Sequence, residues 1–153
     1  MQLALLALSI VLAAVGMGLS LAHALELPGK RRLDREHYLA VQTIYVPGFG
    51  IGGFFGEGLA IAATLVLTIL TPTGTTGFWL TLAALGCLLV EHGIFWFVTQ
   101  PVNRFWGKPL PPDSDWKALR DRWEASHVAR AVFAALAFLL LLTVAIGRPL
   151  HME

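Results

Sequence analysis

Four apolar runs, each near the length that crosses a bilayer, leave this chain little choice of fold. They cover about residues 3–25, 51–70, 78–98 and 126–146, the last counted with its polar lead-in. A helix needs ~20 mostly apolar residues to cross the hydrocarbon core. Of the 153 residues 56% are hydrophobic and only 14% charged, with a mean hydropathy of +0.68. A soluble domain carries roughly 25% charged residues. The expected fold is therefore all-α: a four-helix transmembrane bundle with short cytoplasmic interfacial helices. The segments between spans are too short for a separate soluble domain, so residues 1–153 read as one integral membrane domain.

The ionisable residues collect at one end of each run. His23 and Glu26 close the first, and Glu57 lies early in the second. Glu91 and His92 lie late in the third, while Glu124, His127 and Arg130 open the fourth. Adjacent spans run in opposite directions, so all four deliver these groups to one membrane depth. Ionisable side chains inside a bilayer cost several kcal/mol each on insertion scales, which makes a shared polar layer a functional site by default.

Charge sets the orientation. The connection after span one carries Lys30, Arg31, Arg32 and Arg35, and the one after span three carries Arg104, Lys108, Lys117, Arg120 and Arg122. The opposite side has only Arg148. By the positive-inside rule both long loops are cytoplasmic and both termini face outward, with the inner membrane of the cell as the expected location. The net charge of +1 gives no general attraction to nucleic acid. Ala22-His23-Ala24 resembles a leader cleavage site, but Met1-Gln2 supplies no basic start, so the first run reads as a retained span. The single Cys87 offers no internal disulfide.

Pro28-Gly29 should end the first helix. Residues 33–44 read as an interfacial helix with Tyr38, Val41 and Ile44 on its apolar face. Residues 30–32 read as an anchor for anionic headgroups. Gly48, Gly52 and Gly56 fall four apart, and small-xxx-small rows let helices approach closely. That row fits packing within the chain, a face for a homo-oligomer, or a narrow groove beside Glu57 for a flat ligand. Residues 71–77 form a tight outer turn, and Trp96 and Phe97 fit an interfacial belt. Residues 115–126 should form a helix continuous with span four, with Trp116, Leu119 and Trp123 on one face.

Arg120, Glu124, His127 and Arg130 stack along one helix face. Glu124-x-x-His127 has the spacing of bundle metal sites, although Glu124 paired to Arg120 at a helix end explains it equally. His23-x-x-Glu26 mirrors it. Glu91 and His92 are consecutive, about 100° apart on a helix, so only one points squarely inward. Glu57 needs a partner, and Arg130 is the best-placed cation. His23, Glu26, His92 and Glu124 form the candidate metal set, suited to iron, copper, manganese or zinc, or to haem with two axial histidines. His37 reads as solvated. There is no paired-cysteine zinc pattern, phosphate loop or nucleophile elbow.

The stretch QPVNRFWGKPLPPDSDWKALRDRWEASHVARAVFAALAFLLL resembles a family of small four-span membrane proteins. That family includes fungal anthrone oxygenases and many bacterial members of unknown function. The resemblance is carried by Pro101 with Asn103, by Trp123 and by Arg130. It departs at His127, where the family often has Asn. The resemblance implies a pocket for a flat aromatic or quinone-type molecule, and oxidation of an anthrone by dioxygen with no bound metal or flavin. On that reading His127, Arg130, Asn103 and Glu57 are the catalytic candidates, with His127 or His23 as base. A metal- or haem-binding bundle and a non-catalytic assembly or transport partner are the alternatives.

Overall fold

The computed structural model describes residues 2–106 and 114–147. Six α-helices account for most of them: α1 (Gln2–Lys30), α2 (Arg35–Gln42), α3 (Gly48–Leu70), α4 (Thr76–Ile94), α5 (Gln100–Asn103) and α6 (Trp116–Ile146). A 3-10 turn, Thr43–Tyr45, joins α2 to α3, and a π-helical turn, Phe95–Thr99, joins α4 to α5. Helices α1, α3 and α6, with α4 through α5 as one rod, are long and apolar enough to cross a membrane. The chain is an integral membrane protein built as a four-helix bundle.

Packing closes the bundle into a ring: α1 contacts α3, α3 contacts α4, α4 contacts α6, and α6 returns to α1. Gln2 Nε2 donates to the Leu70 carbonyl at 2.7 Å, which ties the start of α1 to the end of α3. The core away from the polar layer places one alanine per rod at the centre: Ala13, Ala60, Ala84 and Ala137, each at most 2% exposed. Leu6, Leu67, Leu88, Leu141 and Val144 fill the space around them. Small residues suit this setting, because lipid supplies no hydrophobic drive and close contact must hold the helices together. Ser9, Thr68 and Thr81 turn their hydroxyls back to carbonyls of their own helices, so they need no partner across the bundle. Large side chains such as Leu3, Val11, Phe55, Ile69 and Leu139 face outward, toward lipid.

Three local features depart from expectation. Helix α1 runs through Pro28 to Lys30 instead of stopping at Pro28-Gly29. Proline removes one intrahelical hydrogen bond, but the turn continues, with Arg31 N donating to the Leu27 carbonyl at 3.0 Å. Helix α2 is shorter than residues 33–44; its inward residues are Tyr38 and Gln42, and Tyr45 follows inward on the 3-10 turn, while Ile44 is 69% exposed. The 3-10 turn rotates Tyr45 to the position that helical spacing gave to Ile44. Thirdly, α4 gives way to a π turn, in which Gln100 N–H reaches the Phe95 carbonyl. Pro101 has no N–H to offer the Phe97 carbonyl, and Arg122 Nη2 supplies one instead at 3.3 Å. At the other end the turn at 71–75 uses Gly74 at φ +81°, a left-handed conformation that favours glycine. Asp115 caps α6 through Ala118 N, and the helix runs unbroken into the fourth span.

The glycine row on α3 packs inside the chain. A Cβ at Gly52 would lie 3.1 Å from Leu19, and one at Gly56 3.2 Å from Val15 and 3.6 Å from the Gly16 backbone. Two of the three positions are thus covered by α1, as the packing reading of the row expects, and a Cβ at Gly48 would meet open space. Gly50 and Gly53, on another side of the helix, border the cavity described below.

Candidate functional site

A cavity of about 490 Å³ opens in the polar half of the bundle. Its walls come from every spanning element: Leu19, Ser20 and His23 of α1, Phe49, Gly53, Phe54 and Glu57 of α3, His92 and Phe95 of the third rod, and Trp123, His127 and Arg130 of α6. Gln42, Tyr45, Asn103 and Trp106 close it at the loop end. Volume and lining fit the usual small-molecule site, apolar walls with a few placed polar groups.

Arg130 is the electrostatic centre. Its Nη2 donates to Glu57 Oε1 in a buried ion pair, and Glu91 Oε1 lies 4.0 Å from the same nitrogen. Ser20 Oγ donates to Glu91 at 3.3 Å. His92 Nδ1 sits 3.5 Å from Glu57 Oε2, while its Nε2 accepts from the Trp96 indole at 2.8 Å. An acceptor role at Nε2 leaves Nδ1 as the protonated nitrogen, able to donate to Glu57. Glu91 is buried and His92 is one-third exposed, in keeping with two consecutive helical positions that cannot both point inward. The guanidinium also lies over the Phe95 ring, 5.1 Å from its centre.

Two imidazoles meet in the cavity, with His23 and His127 ring centres 4.3 Å apart at a steep angle. Their tautomers follow from their partners. His127 Nδ1 is 3.0 Å from the Trp123 carbonyl, an acceptor only, so Nδ1 carries the proton. Nε2 of neutral His127 is then an acceptor, and Arg130 Nη1 donates toward it at 3.5 Å. His23 is the reverse. Lys30 Nζ donates to its Nδ1 at 3.4 Å, which leaves N–H on Nε2. One ring presents an acceptor and the other a donor. Trp123, Tyr45 and Phe49 pack around His23 with ring centres within 5 Å.

Glu26 and Glu124 stand outside the cavity wall, in a second cluster organised by Lys30. Lys30 Nζ lies 2.9 Å from Glu26 and 3.6 Å from Glu124, and over the faces of Tyr45 and Trp123. Tyr38 donates to Glu124 at 3.1 Å and Tyr45 to Glu26 at 2.5 Å. Burial raises the Tyr38 phenol well above its ordinary range, with the Glu124 carboxylate adding to the effect. Tyr45 shifts the same way through burial and its bond to Glu26. Lys30 is only 4% exposed, so it is an internal ion-pair partner and not the headgroup anchor its basic run suggested. Glu124 accordingly pairs with Lys30, while Arg120 turns to Asp121 at 2.9 Å.

The expected metal set is therefore divided. His23, Glu26 and Glu124 are bound up with Lys30, and His92 belongs to the Glu57 side. Among the described residues no three His, Cys, Asp or Glu side chains are gathered to hold a metal ion. A cation already occupies the place between the two carboxylates. Asn103 lines the cavity, but its Oδ1 accepts from the Trp123 indole at 2.7 Å and its Nδ2 donates to Gln100 at 3.1 Å. It holds Trp123, which in turn orients His127 through its carbonyl.

The residues that sequence reasoning passed over are Lys30 and Tyr45. Lys30 follows Glu26 by four and His23 by seven, one helix face, a signal hidden by ending the helix at Pro28. Tyr45 carried no periodic signal, because a 3-10 turn places it. No family model, curated protein or solved structure matches the chain.

Proposed function

We propose that this bundle binds a flat aromatic or quinone-type molecule in the cavity and oxidises it with dioxygen, in the manner of the anthrone oxygenase-like family that its last third resembles. The carrying observation is a base beside a fixed cation in an aromatic-walled cavity: the His127 Nε2 lone pair 3.5 Å from Arg130 Nη1. Flat rings would lie against Phe95, Phe49 and Trp123, which line the cavity.

The chemistry needs little machinery. His127 Nε2 takes a proton from the activated ring CH₂ of an anthrone-type substrate, general base work suited to a neutral imidazole. The resulting enolate or phenolate oxygen is held by Arg130, a donor kept in place by Glu57 before the charge develops. The His23 Nε2–H is a second donor. Dioxygen takes the electrons from the carbanion, the CH₂ becomes a carbonyl, and one water leaves. Asn103 acts by positioning Trp123 and, through it, His127. The cluster of basic residues at this end of the rods supports a cytoplasmic placement of the cavity.

The test is oxygen uptake by the protein in detergent or proteoliposomes with a hydroxylated anthrone. Wild-type protein should accelerate uptake and form the quinone, and His127→Ala and Arg130→Ala should each abolish it. Wild-type-like uptake in both variants would dispose of the mechanism.

A further inference from the structure

A second cleft of about 550 Å³ lies outside the cavity, between the connection from α1 to α2 and the first turns of α6. Arg31, Arg32 and Arg35 border it on one side, Lys117 and Arg120 on the other. Its one acidic side chain, Asp34, is already engaged by the His37 backbone and ring at 3.0 and 2.8 Å. Arg120 is shared with Asp121 and stacks on Trp116, 5.3 Å from the ring centre. Among the described residues no ion pair engages Arg31, Arg32 or Lys117.

Folding thus brings Arg31 and Arg32 of one segment and Lys117 of a distant one to one opening. Like charges held near one another favour binding of an anion among them. The opening lies between the C-terminal end of α1 and the first turn of α6, beside the half-buried Trp116. We propose that this cleft is a binding site for the phosphate of an anionic phospholipid headgroup. Guanidinium groups match phosphate oxygens in fork geometry. The position at the ends of spanning rods, on the side where basic residues gather, favours a lipid of that leaflet over a soluble anion.

The test compares two variants that change net charge equally. Arg31→Gln/Arg32→Gln alters the cleft; Arg104→Glu alters an exposed arginine at the same end of the bundle but outside it. The full chain in neutral detergent is titrated with phosphatidylglycerol and with phosphatidylcholine, and bound lipid is read by native mass spectrometry. Wild-type protein should prefer phosphatidylglycerol by tenfold or more. The cleft variant should lose about tenfold in that affinity, at the scale expected for basic residues near a headgroup, and the control less than about twofold. Equal loss in both variants would overturn the site in favour of diffuse attraction. Equal binding of the two lipids would also overturn it. Competition by inorganic phosphate that the cleft variant abolishes would overturn the lipid assignment and make the ligand a soluble phosphate.

Discussion

Glu57 and Arg130 stand 73 positions apart in sequence and pair inside the bundle, with side chains 6% and 7% exposed. The carboxylate also faces His92, and the guanidinium also faces Glu91. Breaking such a pair from one side leaves a buried charge uncompensated. Arg130→Met should therefore lower stability by about 3 kcal/mol, and Glu57→Gln/Arg130→Met should recover most of that loss. Equilibrium unfolding in mixed detergent measures both. A double variant as unstable as the single one would mean that the arginine matters through its other neighbours.

Lys30 makes a parallel case at the next layer. Lys30→Met strands Glu124 and should cost about 3 kcal/mol, whereas Arg31→Ala one residue later should stay within about 0.5 kcal/mol in neutral detergent. Similar effects at both positions would place Lys30 at the surface, against its burial.

Close approach of α1 and α3 depends on absent side chains. Gly56→Leu pushes into Val15 and the Gly16 backbone and should destabilise by ~1–3 kcal/mol. Gly58, with open space around it, should accept alanine and gain ~0.5–1 kcal/mol of helix stability. Thermal unfolding midpoints of the two variants should move in opposite directions.

Outside the membrane, Asp34 and His37 form an exposed pair at the start of α2. The hydrogen bond and charge of Asp34 raise the imidazole pKa above 6.5, and His37 holds the carboxyl below its usual 3.8. The His37 contribution is full below pH 6.5 and is lost as pH rises through its raised value. The Asp34 contribution is full above pH 3.8 and is lost as pH falls through its lowered value. Between those limits both charges are present, so the N-terminus of α2 should be best ordered in mildly acidic solution. An NMR titration of His37 should show its midpoint fall in Asp34→Asn. An unchanged midpoint would show that the pair does not form.

How much of this was legible in the sequence depends on the scale of the feature. The four spans were, because ~20-residue apolar runs carry a signal that no local detail overrides. The continuous α6 was, through Asp115 as cap and the Trp116, Leu119 and Trp123 spacing. The Arg130 partner for Glu57 followed from antiparallel depth. The division into two clusters did not, because it hangs on one lysine carried inward by a helical turn past a proline. The helical tautomer pattern of His23 and His127 was equally hidden, since it depends on which carbonyl or amine each ring nitrogen meets.

The wide turn at Phe95–Thr99 has one more consequence. It takes up one residue more than a regular helical turn, so everything beyond it is offset by about 100° from the direction set by Glu91. Deleting a single residue there would not shorten the rod noticeably. It would swing Thr99 off Ser126 and Asn103 off the Trp123 indole, bonds that now measure 2.8 and 2.7 Å. The cavity's loop end is thus kept in register by a miscount in the helix leading up to it.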